Sequence, residues 1–228
     1  MTMEVDSAPV TPSLRPLFCS LGEITRGDGS VVLCQGDTTV ACAVYGPGEV
    51  RVTKELIDQA AVEVVFKPRM GLPGVLDKSR EGMIQSTCTA AILTLLHPRT
   101  SISINLQEMQ DDGCLVSSCL NAACLALVDA SVSMKFLLAA VTVMVGKDGS
   151  ILCDPTLKQL SQSSVSLMFV FSNRQAGGVA GLVSTHTEGL VDQARLQECL
   201  SAAQLAAQHI FQFYKQTVAN KFSKEQNV

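Results

Sequence analysis

A chain of 228 residues is long enough to bury a sizeable core, and 47% hydrophobic against 17% charged residues provides the material for one. A formal charge of −4 and an isoelectric point near 5.4 exclude a global attraction to nucleic acid, and no uninterrupted apolar run is long enough to span a bilayer. Mean hydropathy of +0.28 is high for a freely soluble monomer, so part of the apolar surface is expected to meet other protein chains.

The chain opens with MTMEVDSAPVTPS, acidic and proline-bearing. It lacks the basic start and apolar core of a secretory signal, which points to residence inside the cell. Residues 1–14 are expected to form a flexible tail, with order beginning near Leu17. Asp28 and Gly29 favour a turn, and two β-rich runs follow, Ser30 to Cys34 and Thr38 to Tyr45, parted by Gln35, Gly36 and Asp37. This pattern predicts an antiparallel meander. Ala60 to Phe66 reads as a further strand, and KPRMGLPG leaves it as a loop.

Residues 51–80 carry six basic side chains against four acidic ones in a protein that is acidic overall. Within that stretch Lys67, Arg69, Lys78 and Arg80 form the candidate RNA-binding strip, although an ordinary solvated surface explains the same charges. From Lys78 to Leu96 the spacing of Met83, Ile84, Cys88, Ala91, Ile92 and Leu95 predicts an amphipathic helix that His97 and Pro98 end. His97 reads as a helix-end residue rather than a catalytic base, because no nucleophile pattern accompanies it.

Ser101 to Met109 alternates like a strand with one polar face, and Asp111, Asp112 and Gly113 break the period. Downstream, Leu120, Ala123, Cys124, Leu127 and Val128 recur at helical spacing among residues so small and uncharged that the helix must be covered nearly all round. Such a strand-turn-helix junction offers free N–H groups and a helix dipole to an anion, while a buried helix with a tight glycine turn accounts for it equally well. Asp111 and Asp112 fit turn-forming and helix-start roles better than a catalytic pair.

Leu137 to Val145 is continuously apolar, and Gly146 to Ser150 turns into Ile151, Leu152 and Cys153. GKDGSIL there echoes GDGSVVL at Gly27 to Leu33, a hint of a duplicated strand-rich unit. Residues 156–164 are polar, Val165 to Phe171 is a buried strand, Asn173 to Gly178 a turn, and Val179 to Ser184 an antiparallel return. A long helix is expected from Glu188 to Asn220, with KFSKEQNV fraying behind it. The sequence of elements predicts an α+β fold of mixed β-sheets with packed helices. It forms one domain over residues 15–220, with a flexible tail at 221–228.

Nine cysteines without a CxxC pair sit mostly inside apolar runs and read as reduced core residues. Cys114, Cys119 and Cys124 are evenly spaced, but His97, His186 and His209 lie far off in sequence and no usual zinc pattern results, so no metal site is assigned.

GDGSVVLCQGDTTVACAVYGP, the helix after SREGMI, LQEMQDDG before a small-residue helix, DGSILCDPT and AAQLAAQHIFQFY together resemble the RNase PH family, from about Leu17 to Phe213. The likeness is greatest to the RNase PH-like ring subunits of the eukaryotic RNA exosome. It implies an RNase PH-like fold and, in active members, 3′-end phosphorolysis with cationic side chains holding phosphate and carboxylates holding a divalent metal. The family's phosphate loop runs Asp-Gly-Gly-Thr-Arg-Thr, and Asp112 to Ser117 stand in its place here, with Val116 at the arginine. Valine neither carries charge nor donates a hydrogen bond. Ser86 and Thr89 align with arginines of the preceding helix, and Gln159 and Val165 with the metal-binding aspartates. No Asp or Glu occurs between Asp154 and Glu188, whatever the register.

The resemblance thus implies no catalytic residues and no cofactor. It implies a structural ring subunit whose partners are other RNase PH-like ring subunits, cap subunits and RNA, in nucleus, nucleolus and cytoplasm. A self-assembled nuclease with a remodelled site, as a homodimer, is the competing expectation, and sequence-independent nucleic-acid binding by the isolated chain is a third.

Overall fold

The computed structural model describes residues 13–146, 149–176 and 179–225. Alternation between apolar and small polar residues makes the first sheet. Its strands are β1 (Leu17–Leu21), β2 (Gly29–Gln35), β3 (Thr38–Glu49), β4 (Ala61–Lys67) and β5 (Thr100–Gln110), in the order β1-β2-β3-β5-β4. All pairs are antiparallel except β4 with β5, which is parallel because helix α1 (Val75–Ala91) crosses between them. The second sheet has the order β7-β6-β8-β9, from β6 (Leu138–Val145), β7 (Ile151–Cys153), β8 (Val165–Ala176) and β9 (Val179–Glu188), all antiparallel.

Helix α2 (Leu115–Asp129) lies between the two sheets, against β2 and β3 on one side and β6 on the other. Leu115 and every residue from Ser117 to Leu127 are buried, the burial that its charge-free sequence demands. A short α3 (Leu157–Gln162) follows β7, and α4 (Gln193–Glu225) lies over β6, β8 and the edge of β1. One continuous core joins the halves, from Val31 and Phe66 through Leu120 and Leu125 to Phe169 and Ala206. The fold is α+β as expected, with one mixed sheet and one antiparallel sheet.

Polar groups inside this core are paired. Asn121 donates to the Ala140 carbonyl (3.0 Å) and accepts from the Ala140 N–H (2.8 Å) and the Tyr214 hydroxyl (3.0 Å), tying α2, β6 and α4 at one point. Close approach is the rule around α2. A Cβ on Gly29 would lie 2.3 Å from the Ala130 nitrogen, so β2 and the end of α2 meet backbone to backbone only because residue 29 has no side chain. All nine thiols are free, seven of them buried.

Several boundaries differ from the sequence expectation. Helix α1 ends at Ala91 instead of Leu96: Ile92 turns extended and bridges Met134, while Leu95 and Leu96 stand exposed in a single 3₁₀ turn. The α2–β6 connection captures this segment, with Lys135 N–H donating to the Ala91 carbonyl and Leu93 N–H to that of Ser133. The polar stretch 156–164 contains helix α3, started by Gln159 Oε1 accepting from the Thr156 N–H at 2.8 Å.

Strand β8 runs on through Asn173 to Ala176 past a register shift, where a turn was expected, and residues 177–178 of that turn lie outside the described residues. Strand β9 extends to Glu188, so α4 begins only at Gln193, after Gly189 (φ +103°) reverses the chain. At its far end α4 continues past Asn220 to Glu225, because Lys221 pairs with the nearly buried Asp129 at 2.5 Å. The echoed DGS segments lead into β2 and β7, each antiparallel to its neighbour, but the sheets they join differ in strand number and order. Most of the expected N-terminal tail, residues 1–12, and residues 226–228 lie outside the described residues.

Candidate functional site

The turn from β5 into α2 is held by several elements at once. Gly113 (φ +95°) and Cys114 (φ +58°) occupy the left-handed region, and the Asp111 carboxylate accepts from the Gly113 N–H at 2.8 Å. A Cβ at Gly113 would meet Leu157 N and Pro155 O at 2.8 Å each, so the β7–α3 connection is pressed directly against the turn. Thr38 Oγ1 donates to the Gly113 carbonyl (2.8 Å) and accepts from the Asp112 N–H (3.1 Å).

Arg15 completes the clamp. Its guanidinium donates to the carbonyls of Asp112 (3.2 Å) and Gly113 (3.3 Å) and pairs with the buried Asp154 at 2.8 Å. Asp154 also accepts from the Arg15 N–H at 3.1 Å, and the Cys114 thiol donates to Pro155 O at 3.2 Å. Burial and then the Asp154 carboxylate push the Cys114 thiol well up, so it is a packing group and not a nucleophile.

Beside this turn opens a cleft of about 320 Å³ between α1, the start of α2, α3 and the β8–β9 edge. Leu76, Met83, Val116, Leu157, Leu160 and Met168 give it an apolar lining. Ser79, Arg80, Asp111, Thr142, Ser166, His186 and Glu188 supply the polar groups. Arg80 is engaged by Asp77 at 3.4 Å, and His186 lies 3.5 Å from Glu188. Nearby, partial burial and then the Asp111 carboxylate raise the pKa of Glu108, a mark of crowded negative charge.

A larger groove of about 560 Å³ runs along β1 beneath α4, but its one charged lining residue, Lys221, is already paired with Asp129. Among the described residues no group of three or more His, Cys, Asp and Glu side chains is placed to hold a metal ion, and no helix is long and apolar enough to cross a membrane.

The positions singled out from the sequence scatter. Val116 lines the cleft, in the first turn of α2. Ser86 and Thr89 lie further along α1 than the lining residues Leu76 to Met83, and their hydroxyls donate to the helix carbonyls of Met83 (2.9 Å) and Gln85 (2.7 Å). Gln159 caps α3, and Val165 is buried in β8 opposite Val145.

The four cations have different settings. Lys67 ends β4 on the open face of the first sheet, Lys78 is paired with Glu81 at 2.7 Å, and Arg80 turns to Asp77 and the cleft, while Arg69 lies exposed in the loop after β4. Arg15, Asp154, Met168, His186 and Glu188 carried no sequence signal for a shared site, since they come from separate elements joined only by the tertiary fold.

Comparison with known proteins places the fold in a family. Residues 13–133 match the first domain and residues 137–205 the second domain of the 3′ exoribonuclease family, RNase PH. The chain is 30% identical over 237 residues to an Arabidopsis thaliana protein named exosome complex exonuclease RRP46 homolog, covering 97% of this chain and 99% of that one. It is 29% identical to the exosome complex component RRP46 homolog of Caenorhabditis elegans, over 93% of this chain and 98% of the other. The crystal structure of rice (Oryza sativa) Rrp46 superposes with a TM-score of 0.86 at 32% identity, over 91% of this chain and 96% of that one. An archaeal exosome core chain shares the fold, with a TM-score of 0.75 at 18% identity over 89% and 87%.

Proposed function

The chain belongs to the RNase PH family of 3′ exoribonucleases, and from that premise we propose that it is a non-catalytic ring subunit of an RNA exosome, supporting 3′-to-5′ RNA processing and decay. The observation that supports the proposal is Val116 in the cleft wall, at the position that the resemblance to the family's phosphate loop assigns to an arginine. Phosphorolysis needs a cationic grip on the attacking phosphate and charge neutralisation at the scissile phosphodiester. Ser86 and Thr89 donate to their own helix, Gln159 is a cap, and Val165 is core. Asp154, the carboxylate nearest Gln159 and Val165 in sequence, is bound to Arg15.

The proposed partners are other RNase PH-like ring subunits, cap subunits and RNA, with the chain helping to line the RNA channel. Exposed apolar groups such as Val52, Ile57, Met70 and Leu72 suit interfaces with related chains. Nucleus, nucleolus and cytoplasm are the proposed compartments, and a homodimer is the proposed state of the isolated chain. RNA contact is assigned to Lys67, Arg69, Lys78 and Arg80.

A second reading, a self-assembled phosphorolytic or metal-dependent nuclease, draws support from the plant relatives whose names include exonuclease. One experiment separates the two. Folded, purified chain is incubated with 3′-tailed RNA, with and without inorganic phosphate and magnesium, and nucleoside diphosphate and monophosphate are followed. No release is expected in any arm, and phosphate-dependent diphosphate release that follows the chain through further purification would overturn the non-catalytic reading.

A further inference from the structure

The cleft beside the β5–α2 turn is poorly built for phosphate. Its walls are Met83, Val116, Leu157, Leu160 and Met168, with the exposed Leu76 at the lip. The charge around it is negative on balance. Asp77 lies 3.4 Å from Arg80 and takes up that cation, and Lys78 is turned away to Glu81 at 2.7 Å. Asp111 and Glu188 remain on the rim with Glu108 close behind Asp111, and His186 lies 3.5 Å from Glu188. A phosphate inside the cleft would face Asp111 and Glu188, whereas a cation flanked by aliphatic side chains is attracted by both features at once.

We propose that this cleft docks a cationic, apolar peptide segment of a partner protein, with Leu- or Met-type side chains against Met83 and Met168 and a Lys or Arg at Asp111 and Glu188. Charge complementarity selects the occupant. A volume of about 320 Å³ takes a few side chains of a short segment, and two unbranched methionines let the wall adjust to them. The inference rests on the reading that Val116 and its neighbours no longer hold phosphate.

The test uses full-length chain labelled with ¹³C at the methionine methyls, since Met83 and Met168 line the cleft while Met70 and Met109 are exposed elsewhere. The probes are a decapeptide of alternating leucine and lysine, its glutamine-for-lysine analogue, an oligoadenylate and inorganic phosphate. Saturable shifts at Met83 and Met168 with the lysine peptide are expected, with affinity about tenfold weaker for the glutamine analogue and for the exposed substitution Glu188→Lys.

The proposal is overturned if the two methyls do not move, if Met70 and Met109 move equally, or if Glu188→Lys leaves the affinity unchanged. Shifts at Met83 and Met168 produced by phosphate or oligoadenylate, and not by the peptide, would sink both this inference and the non-catalytic reading. A silent cleft with no RNA cleavage would sink this inference alone.

Discussion

Asn121 has no route to water, so each of its hydrogen bonds must be made inside the protein. Asn121→Ala leaves the Ala140 N–H and C=O and the Tyr214 hydroxyl unpaired, at about 1–3 kcal/mol for each orphaned group that finds no water. Tyr214→Phe removes one partner and leaves Asn121 with two, so it is expected to cost about 1 kcal/mol. Urea midpoints of the two variants test this ranking, and equal losses would contradict it. Gly29→Ala drives a methyl into the backbone of α2 and is expected to cost more than about 2 kcal/mol, again read from urea unfolding. At this scale the sequence was only partly legible. The small, uncharged residues of α2 announced burial, but nothing in the spacing paired Asn121 with a tyrosine far along the chain. Val116 could be singled out from the sequence because it stands within a contiguous motif, whereas Glu188 and Met168 enter the cleft by strand register alone.

Elements start and stop where local signals and tertiary capture agree. Thr156 and Gln159 spell a capping box, a signal present in the sequence and masked by the polarity of the segment. The end of α1 had no such marker, because what stops it is the bridge from Ile92 to Met134. At the last turns of α4, Asp129 binds both Lys221 and the Ser30 N–H. Asp129→Ala is therefore expected to speed hydrogen exchange in residues 217–225 and in the turn before β2, while amides in the middle of α4 keep their protection. Unchanged exchange at the helix end would show that Lys221 does not secure it. Among the cations after β4, Lys78 and Arg80 are ion-paired, so Lys67→Ala and Arg69→Ala together are expected to reduce the salt slope of RNA binding by about two and the other pair by less. A titration of binding against salt for both double variants checks this.

For the whole molecule, α2 serves as the shared inner layer of both sheets, so the two regions matched as separate family domains are expected to unfold together. Far-ultraviolet circular dichroism and tyrosine fluorescence should give coincident urea transitions, and separated ones would mean that each half carries its own core. Buried thiols add a pH dependence. Burial raises Cys88 and Cys124 from 9.0 to about 12, so above pH 9 the unfolded chain releases protons that the folded chain retains. Stability is then full below about pH 9 and falls as pH rises toward 12, by about 1.4 kcal/mol per pH unit for each such thiol, which urea midpoints at rising pH would record. By itself the sequence determined the fold class, most strands and the longer helices, and the family likeness, since periodicity and contiguous motifs are local properties of the chain. Only the tertiary structure decided that Arg15 clamps the β5–α2 turn through Asp154 and that Lys78 and Arg80 are ion-paired. It alone decided, too, that a negatively rimmed apolar cleft forms from α1, α2, α3, β8 and β9, because residues remote in sequence meet only through strand register and helix packing.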